Sequence, residues 1–396
     1  PPRSQKAAAA PSLDDSLPCY FVRSPLSPTH HDDSSPQILL LTHRSDYFTV
    51  DRVAQALAEA GAQPVRLDTD DFPTRVGLSL RDDGEGPRFS ATPFASDKPL
   101  ASDDGGAPRG LSEPLPDLSR VAAVWTRSPW PPELPEDLDP AYRQSCADQC
   151  RCLLDGWLDA LHDGPHEAAW INPPAANQRA GNKVIQHRLA HRAGLDLPPT
   201  LITNDDAQAR DFFHRHGGDV MAKLLLPLSR SMDGSGQFLP TTPLTADDLE
   251  HLEALRLGPM ILQQRVPKDH ELRVMVVDGE LFVGALGAGT SGPEADDWRV
   301  SDPRQVRWQR GRLGPRAAEG LRRLMSSLGL VAGVADFIIT PQDRAVFLEI
   351  NPLGEWGMLE RDLELPISHA LAQALLRRAA PNASATRAAV IHEDRA

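Results

Sequence analysis

The sequence has few lysines and no apolar run as long as a membrane span. Arginine is in large excess over lysine in its 396 residues, and the lysines are Lys6, Lys98, Lys183, Lys223 and Lys268. Lysine is a compact point charge and arginine a planar fork, so the two are not interchangeable beside a phosphate. The lysines are therefore candidates for a chemical role. The missing membrane span, and the lack of an apolar core in residues 1–36, predict a cytoplasmic protein without membrane contact.

Two further binding classes lack their usual sequence features. The formal net charge is −14, which disfavours nucleic acid as a partner because binding to its phosphates requires a basic field. Residues 42–46, which follow the first predicted strand, contain no glycine, so a dinucleotide site is also disfavoured. The hydrophobic fraction of 40% is sufficient for two or three packed domains.

Four cysteines are too few for a disulfide scaffold, but three of them lie close together in the chain. Cys146, Cys150 and Cys152, followed by His162 and His166, leave a zinc site as one interpretation. Cys146 and Cys150 also lie one helical turn apart and begin an apolar stripe that continues through Leu153, Leu154, Trp157, Leu158 and Leu161. We favour the packed face of a helix.

The order of apolar runs and turn residues predicts an α/β protein. A strand at 38–42, a helix that ends at Gly61 and a strand at 64–68 form a βαβ unit, which indicates a parallel sheet. Residues 84–116 are rich in Pro and Gly and are predicted to form a loop. The other predicted elements are a strand at 121–125, a helix at 175–193, strands with a loop at 199–242, a helix at 246–257, two hairpins, and a helix near 317–328; residues 170–174 are predicted to close the first domain.

Two acidic residues are embedded in the apolar strands of a hairpin near the C-terminus. With the turn tip at 342–343, antiparallel pairing places Asp336 opposite Glu349, and Asn351 lies on the same face. The other face collects Ala335, Phe337, Ile339, Val346, Leu348 and Ile350. Facing carboxylates repel each other, and a divalent cation such as Mg²⁺ is the simplest compensation. The alternative is a solvated polar face on an edge hairpin.

A second hairpin is indicated by the Asp278-Gly279 pair. Its register places Arg273 opposite Gly284, on the face that also carries Glu271. Because glycine has no side chain, we expect room for a phosphate beside the Arg273 guanidinium. The guanidinium would then stabilise charge on a transferred phosphoryl group. The alternative is an exposed cross-strand ion pair.

Two lysines and one basic segment are further candidates for binding anions. Lys183 lies early in a predicted helix and Lys223 lies in an apolar strand, and both placements require an anionic partner. Residues 229–236 are predicted to form a loop whose backbone amides cover phosphates. The basic segment is typical of a solvated surface, but in an acidic protein it would attract carboxylates; its members are Arg299, Arg304, Arg307, Arg310 and Arg312.

The order of these features resembles an ATP-grasp enzyme: a lysine on a helix, a lysine on a strand, a hinge at 261–266, then Arg273 and the acidic hairpin. Several segments are similar to the graspetide synthetases, the microviridin-type ATP-grasp peptide maturases, and these are 38–73, 124–127, 170–172, 197–204, 268–273 and 347–356. The resemblance implies an ATP-grasp fold with an N-terminal parallel-sheet pre-ATP-grasp domain. The expected organisation is a disordered extension at 1–36, the pre-ATP-grasp domain at 37–174, a central lid domain at 175–262, a C-terminal domain with the metal site at 263–378, and a flexible tail at 379–396.

The resemblance also implies ATP and two Mg²⁺ ions as cofactors. Lys183 and Lys223 would contact nucleotide phosphates, and Arg273 would contact the reacting phosphate. Adenine would lie at the hinge residues, which are Gln263, Gln264, Arg265 and Val266. The ions would be held by Asp336, Glu349 and Asn351. The family often has Gln-Glu at the hinge where this chain has Gln-Gln, so the acid that contacts ribose stays unassigned.

The implied partner is a ribosomal precursor peptide. Its Asp or Glu side chain would be phosphorylated by ATP and then joined to a Thr or Ser hydroxyl (ω-ester) or a Lys amine (ω-amide). The implied peptide-binding residues are Asp297, Trp298, Arg299 and Arg307, Glu271 is a candidate general base, and a homodimer is usual in the family. The alternatives are a glutathione synthetase-like ligase for a small amino acid or a protein C-terminus, and a peptide-binding module without turnover.

Overall fold

The computed structural model describes residues 35–46, 48–94, 111, 113–115, 118–163, 168–226, 241–287 and 307–380. The extension expected at 1–36 and the tail expected at 379–396 lie almost wholly outside these ranges, and the loop expected at 229–236 lies outside them entirely. No helix within the described ranges is long and apolar enough to cross a bilayer.

Strands and helices are interspersed along the chain, as predicted for an α/β protein. The strands are β1 (Gln37–Thr42), β2 (Gln63–Asp68), β3 (Val76–Asp82), β4 (Pro87–Pro93), β5 (Val121–Thr126), β6 (Ala169–Ile171), β7 (Thr200–Thr203), β8 (Val220–Leu224), β9 (Thr242–Pro243), β10 (Met260–Gln264), β11 (His270–Val277), β12 (Glu280–Gly287), β13 (Gln309–Arg310), β14 (Ala332–Ile339) and β15 (Ala345–Asn351). The helices are α1 (Phe48–Glu59), α2 (Pro140–Asp163), α3 (Pro174–Gly181), α4 (Lys183–Arg192), α5 (Asp206–Arg215), α6 (Pro315–Leu328), α7 (Gly357–Leu363) and α8 (Ile367–Ala379). Short 3₁₀ helices occupy Thr69–Asp71, Leu118–Arg120 and Asp247–Arg256.

The first sheet confirms the predicted βαβ unit. Its strands pair in parallel in the order β2-β1-β5-β6. Every residue of β1 is buried, which is typical of a parallel sheet that is covered on both faces. Ile38 and Trp125 of this sheet share a hydrophobic core with Val334 and Trp356. The N-terminal sheet is therefore packed against the C-terminal part of the chain.

The loop predicted at 84–116 is wrong in its first part. β3 and β4 form an antiparallel hairpin, and Gly84 and Gly86 between them have positive φ. Glycine adopts positive φ without a steric penalty, so these residues form a turn between strands instead of starting a long loop. The hairpin packs on α2, where the indole of Trp157 donates a hydrogen bond to the Ser90 carbonyl at 3.0 Å.

Helix α2 contains the clustered cysteines. Its Trp157 and Leu161 are buried, and Cys150 packs beside them in the same cluster. Within the described ranges, His, Cys, Asp and Glu side chains do not form any group of three or more that could hold a metal. Its packing places Cys150 on a packed helix face, the interpretation that we favoured, and His166 of the zinc interpretation lies outside the described ranges.

The second sheet is antiparallel and has the order β7-β10-β8-β9. Helix α5 interrupts the region that was predicted to contain only strands and a loop. Its start is fixed by Asp205, whose side chain accepts hydrogen bonds from the backbone N–H groups of Ala207 and Gln208. The helix predicted at 246–257 is present as the 3₁₀ segment Asp247–Arg256.

The single helix predicted at 175–193 is two helices, α3 and α4. Asn182 between them has extended backbone angles, and its side chain accepts hydrogen bonds from the N–H groups of Val184 and Ile185. This N-cap starts a new helix because it satisfies amides that have no partner inside the first turn. Lys183 is therefore the first residue of α4.

The third sheet carries the predicted acidic hairpin and has the order β13-β12-β11-β14-β15. One face packs against α4 and α6 through a core that includes Leu189, Leu321 and Phe337. On the other face, Met275 and Val334 join the core that is shared with the N-terminal sheet. The polar row described next lies on this second face, beside that core.

Candidate active site

The adjacent strands β11, β14 and β15 place one arginine and two acids side by side. Arg273 is directly opposite Asp336, and Asp336 is directly opposite Glu349. Directly opposed residues share a face of an antiparallel sheet. The Nε atom of Arg273 lies 3.4 Å from Oδ1 of Asp336, and the arginine side chain is only 9% exposed. The three residues form a cross-strand row. The pairing of Asp336 with Glu349 was predicted, whereas the pairing of Arg273 with Asp336 joins the two hairpins and was not.

A β-bulge accounts for the pairing of Asp336 with Glu349. Near the turn, Phe337 pairs with Phe347, one residue away from the predicted register, and the register shifts between Asp336 and Phe337. The extra residue on β15 is Leu348, which restores the predicted pairing at Glu349. Phe347, and not Leu348, consequently joins the buried face, where its ring lies 5.5 Å from that of Phe337.

Lys183 completes the row from the adjoining helix. As the first residue of α4, it places its Nζ atom 2.6 Å from Oε2 of Glu349. The two acids of the row thus each contact a cation, Asp336 through Arg273 and Glu349 through Lys183. Asn351 follows on the same face of β15; it is exposed, and its side-chain oxygen accepts a hydrogen bond from the Leu353 amide at 3.2 Å.

Lys223 and the predicted hinge meet on one face of the second sheet. Lys223 of β8 pairs with Ile261 of β10. Gln263, also on β10, pairs with Met221 of β8 and Thr200 of β7. This face is opposite to the one that packs Val220, Ala222 and Leu262 into the core of the second sheet. The Gln263 side chain is buried and donates a hydrogen bond to the Thr200 hydroxyl at 3.1 Å.

At the end of β10, the hinge backbone is held by hydrogen bonds to two other segments. The N–H of Gln264 donates to the Pro199 carbonyl at 3.0 Å, and the N–H of Arg265 donates to the Asp219 carbonyl at 2.9 Å. Val266 is half-buried and leads towards Lys268, which forms an ion pair with Glu271 at the start of β11. Both side chains of this pair are largely buried.

The expected space beside Arg273 is absent. A side-chain carbon at Gly284 would overlap Leu359 and come within 3.0 Å of Trp308. Leu359 and Trp308 therefore fill the volume that we had assigned to a phosphate. Gly284 is required by this packing, because any side chain here would collide with Leu359.

Comparisons with known proteins support the family that the sequence features suggested. The family model of the MvdD pre-ATP-grasp domain matches residues 37–92 and 112–177. The macrocyclase MdnB from Microcystis aeruginosa MRC is 41% identical, with 86% of this chain and 99% of that chain covered and a TM-score of 0.70. The chain belongs to the graspetide synthetases, within the ATP-grasp superfamily.

Two other solved structures are similar to this chain, one at higher identity than the other. The macrocyclase MdnC from the same organism, bound with precursor peptide MdnA, is 28% identical, with 86% of this chain and 99% of that chain covered and a TM-score of 0.71. A RiPP-associated ATP-grasp ligase of Chryseobacterium gregarium, in complex with ADP and a leader and core peptide, has a TM-score of 0.74. It covers 87% of this chain and 97% of that chain at 24% identity, so it supports the fold alone. No curated protein matches the chain.

The predicted peptide-binding residues of this graspetide synthetase are only partly within the described ranges. Asp297, Trp298 and Arg299 lie outside them. Arg307 is described and exposed, just before β13. Arg310 of the same basic segment donates a hydrogen bond to the Leu363 carbonyl at 2.6 Å, which gives it a structural partner.

Two buried residues that contact the β15 region had no predicted role. Arg127, at the end of β5, donates to the Leu353 carbonyl at 3.2 Å and forms an ion pair with Glu355. Gln186 of α4 hydrogen-bonds the backbone of Ile350. Gln186 could have been noticed, because it heads an apolar stripe that continues through Leu189, Ala190 and Ala193 at helical spacing. A buried polar residue in such a stripe requires a polar partner.

Proposed function

We propose that this chain is an ATP-dependent macrocyclase that acts on a ribosomal precursor peptide. The observation that carries the proposal is the row of Arg273, Asp336 and Glu349, with Lys183 in contact with its last member. The row stands in a chain that is 41% identical to the macrocyclase MdnB over 99% of that protein. An arginine and a lysine beside paired carboxylates form an arrangement suited to binding a nucleotide triphosphate with a divalent cation.

ATP is proposed to bind between the second and third sheets. The hinge residues that would contact adenine are Gln263, Gln264, Arg265 and Val266. Lys223 lies on the same sheet face as Gln263, in a position to reach the phosphates. Lys183, on α4, approaches beside Glu349 of the third sheet. This placement agrees with the proposed domains at 37–174, 175–262 and 263–378, with the nucleotide between the last two.

Magnesium is proposed to be held by Asp336, Glu349 and Asn351. All three offer oxygen atoms from one sheet face, and magnesium commonly takes one or two protein carboxylates while phosphates and water complete its shell. We propose two ions, which would neutralise charge on the β- and γ-phosphates. Lys183 contacts the Glu349 carboxylate and Arg273 contacts the Asp336 carboxylate. When the ions and the nucleotide bind, these two side chains would turn from the carboxylates towards phosphate.

The proposed reaction has two steps. A carboxylate oxygen of the peptide attacks the γ-phosphorus, the bond to ADP breaks, and an acylphosphate forms. A Thr or Ser hydroxyl, or a Lys amine, then attacks the acyl carbon and phosphate leaves, which closes an ω-ester or ω-amide ring with net loss of water. Arg273 would stabilise the transferred phosphoryl group, and Glu271, paired with Lys268, is the candidate acceptor for the nucleophile's proton.

The peptide is proposed to contact Arg307 and the segment at 297–299, and the enzyme is proposed to act as a cytoplasmic homodimer. The test incubates the chain with ATP, Mg²⁺ and a precursor peptide encoded beside its gene, with MdnA as a second substrate, and measures peptide mass. Stepwise losses of water that require ATP support the proposal. Addition of an amino acid to the peptide, or ATP hydrolysis with unchanged peptide mass, would contradict it.

A further inference from the structure

The strand that carries Glu349 and Asn351 lies at the edge of the third sheet. Among the described residues the sheet order ends with β15, and no full strand pairs with its outer side. Near the start of β15, Asp196 forms an isolated bridge with Val346, and its carbonyl accepts a hydrogen bond from the Phe347 N–H at 2.9 Å. Exposed edges of this kind are free to fray or to pair with other chains unless something covers them. The metal ligands proposed above therefore depend on whatever holds the outer side of β15.

Gln186 covers this edge at Ile350, the residue between the two proposed ligands. Its Oε1 atom accepts a hydrogen bond from the Ile350 N–H at 2.9 Å, and its Nε2 atom donates to the Ile350 carbonyl at 2.7 Å. A second hydrogen bond from Nε2 reaches the Ala180 carbonyl at 2.9 Å. The side chain thus provides the same donor and acceptor pair that a neighbouring strand would have provided.

The carboxamide is held rigidly in this position. Gln186 is only 2% exposed, and both its nitrogen and its oxygen are engaged. Fixing both backbone groups of Ile350 restricts the peptide planes on either side of it, and these planes belong to Glu349 and Asn351. Lys183, one helical turn earlier, contacts the Glu349 side chain instead of the backbone.

We propose that Gln186 is a positioning residue for the metal ligands. It holds the β15 backbone so that Glu349 and Asn351 stay aligned with Asp336, including when Lys183 turns towards phosphate. The inference rests on the proposed function, because it takes these three residues as the metal site. Residues that orient metal ligands from outside typically change metal affinity by about 10- to 100-fold when they are replaced.

The test compares Gln186→Met, which preserves length and removes the hydrogen bonds, with Leu189→Ala on the same helix face. Leu189 is buried in the core that α4 and α6 form with the third sheet, and it is not proposed to contact the metal site. For each variant, binding of Mn²⁺ in the presence of ADP is measured by electron paramagnetic resonance. Urea unfolding gives the stability, and hydrogen exchange reports on the peptide that contains the Ile350 amide. Gln186→Leu replaces Gln186→Met if the latter does not fold.

We expect Gln186→Met to weaken Mn²⁺ binding by about 10-fold or more and to accelerate exchange at Ile350. Leu189→Ala should lower the free energy of unfolding at least as much as Gln186→Met does, while its Mn²⁺ affinity stays within about twofold of wild type. Unchanged Mn²⁺ affinity in Gln186→Met, or losses of affinity in both variants that merely follow stability, would overturn the inference. Asp336→Asn separates the two claims, since Mn²⁺ binding that survives this change refutes the metal site itself.

Discussion

Replacing Lys183 with methionine should have opposite effects on nucleotide and metal binding. Lys183 is proposed to bind phosphate, yet it contacts Glu349 at 2.6 Å in the structure. In the absence of nucleotide it therefore competes with a cation for the same carboxylate. Lys183→Met removes this competitor and also removes a positive charge next to the ion, so the free enzyme should bind Mn²⁺ more tightly. Its affinity for ATP should fall, because a phosphate contact is lost.

The size of the effect follows from the exposure of the pair. The Lys183 side chain is 20% exposed and that of Glu349 is 35% exposed, so water screens the attraction in part. A fully exposed pair contributes up to about 1 kcal/mol, and a hydrogen bond to a charged group about 1.5 to 3 kcal/mol. We take about 1 to 2 kcal/mol for this pair, which corresponds to Mn²⁺ binding that is tighter by about 5- to 30-fold.

The assay titrates Mn²⁺ into nucleotide-free enzyme and follows the unbound ion by electron paramagnetic resonance. Lys183→Arg is the matched control, because it keeps the positive charge and should bind Mn²⁺ about as weakly as the wild type. Titration with ATP then measures the loss of nucleotide affinity in Lys183→Met. Mn²⁺ affinity that is unchanged or reduced in Lys183→Met would show that the lysine does not compete for Glu349, and the reasoning would fail.

Two further predictions concern stability. Gly284→Ala should destabilise the fold by about 1 to 3 kcal/mol in urea unfolding, because its new carbon overlaps Leu359, whereas Gly333→Ala has its nearest contact at 3.4 Å and should cost little. Burial raises the pKa of Asp68 from 3.8 to about 6, so between these pH values the folded state binds more protons than the unfolded state and loses stability as pH rises. The stability of Asp68→Asn relative to wild type should therefore increase by about 2 kcal/mol from pH 4 to pH 7. A difference in stability between Asp68→Asn and wild type that does not change with pH would contradict the raised pKa of Asp68.

The parts of the site that were predicted from sequence are those set by local pairing. Arg273 opposite Gly284 follows from a two-residue turn, which fixes the register of both strands. The pairing of Asp336 with Glu349 was predicted correctly, but the turn alone does not produce it, because the bulge at Leu348 compensates for a one-residue difference. A bulge has no clear sequence signal in an apolar strand.

The contacts that were not predicted join distant parts of the chain. Lys183 and Glu349 are 166 residues apart, and Gln186 and Ile350 are 164 residues apart. Hydrophobic periodicity predicts each helix and strand but does not indicate which helix covers which sheet edge. Helix α5 was missed for a different reason: its sequence is mostly polar and it buries only Ala209 and Phe213, so the capping residue Asp205 was its main signal.

The proposed chemistry is tested most directly by following isotopically labelled carboxylate oxygens of the precursor peptide during turnover with ATP. In the acylphosphate route, one labelled oxygen leaves with phosphate for each ring that closes. We predict labelled phosphate in equal amount to the water lost from the peptide, and neither product with Asp336→Asn. Ring closure that releases only unlabelled phosphate would contradict the proposed mechanism.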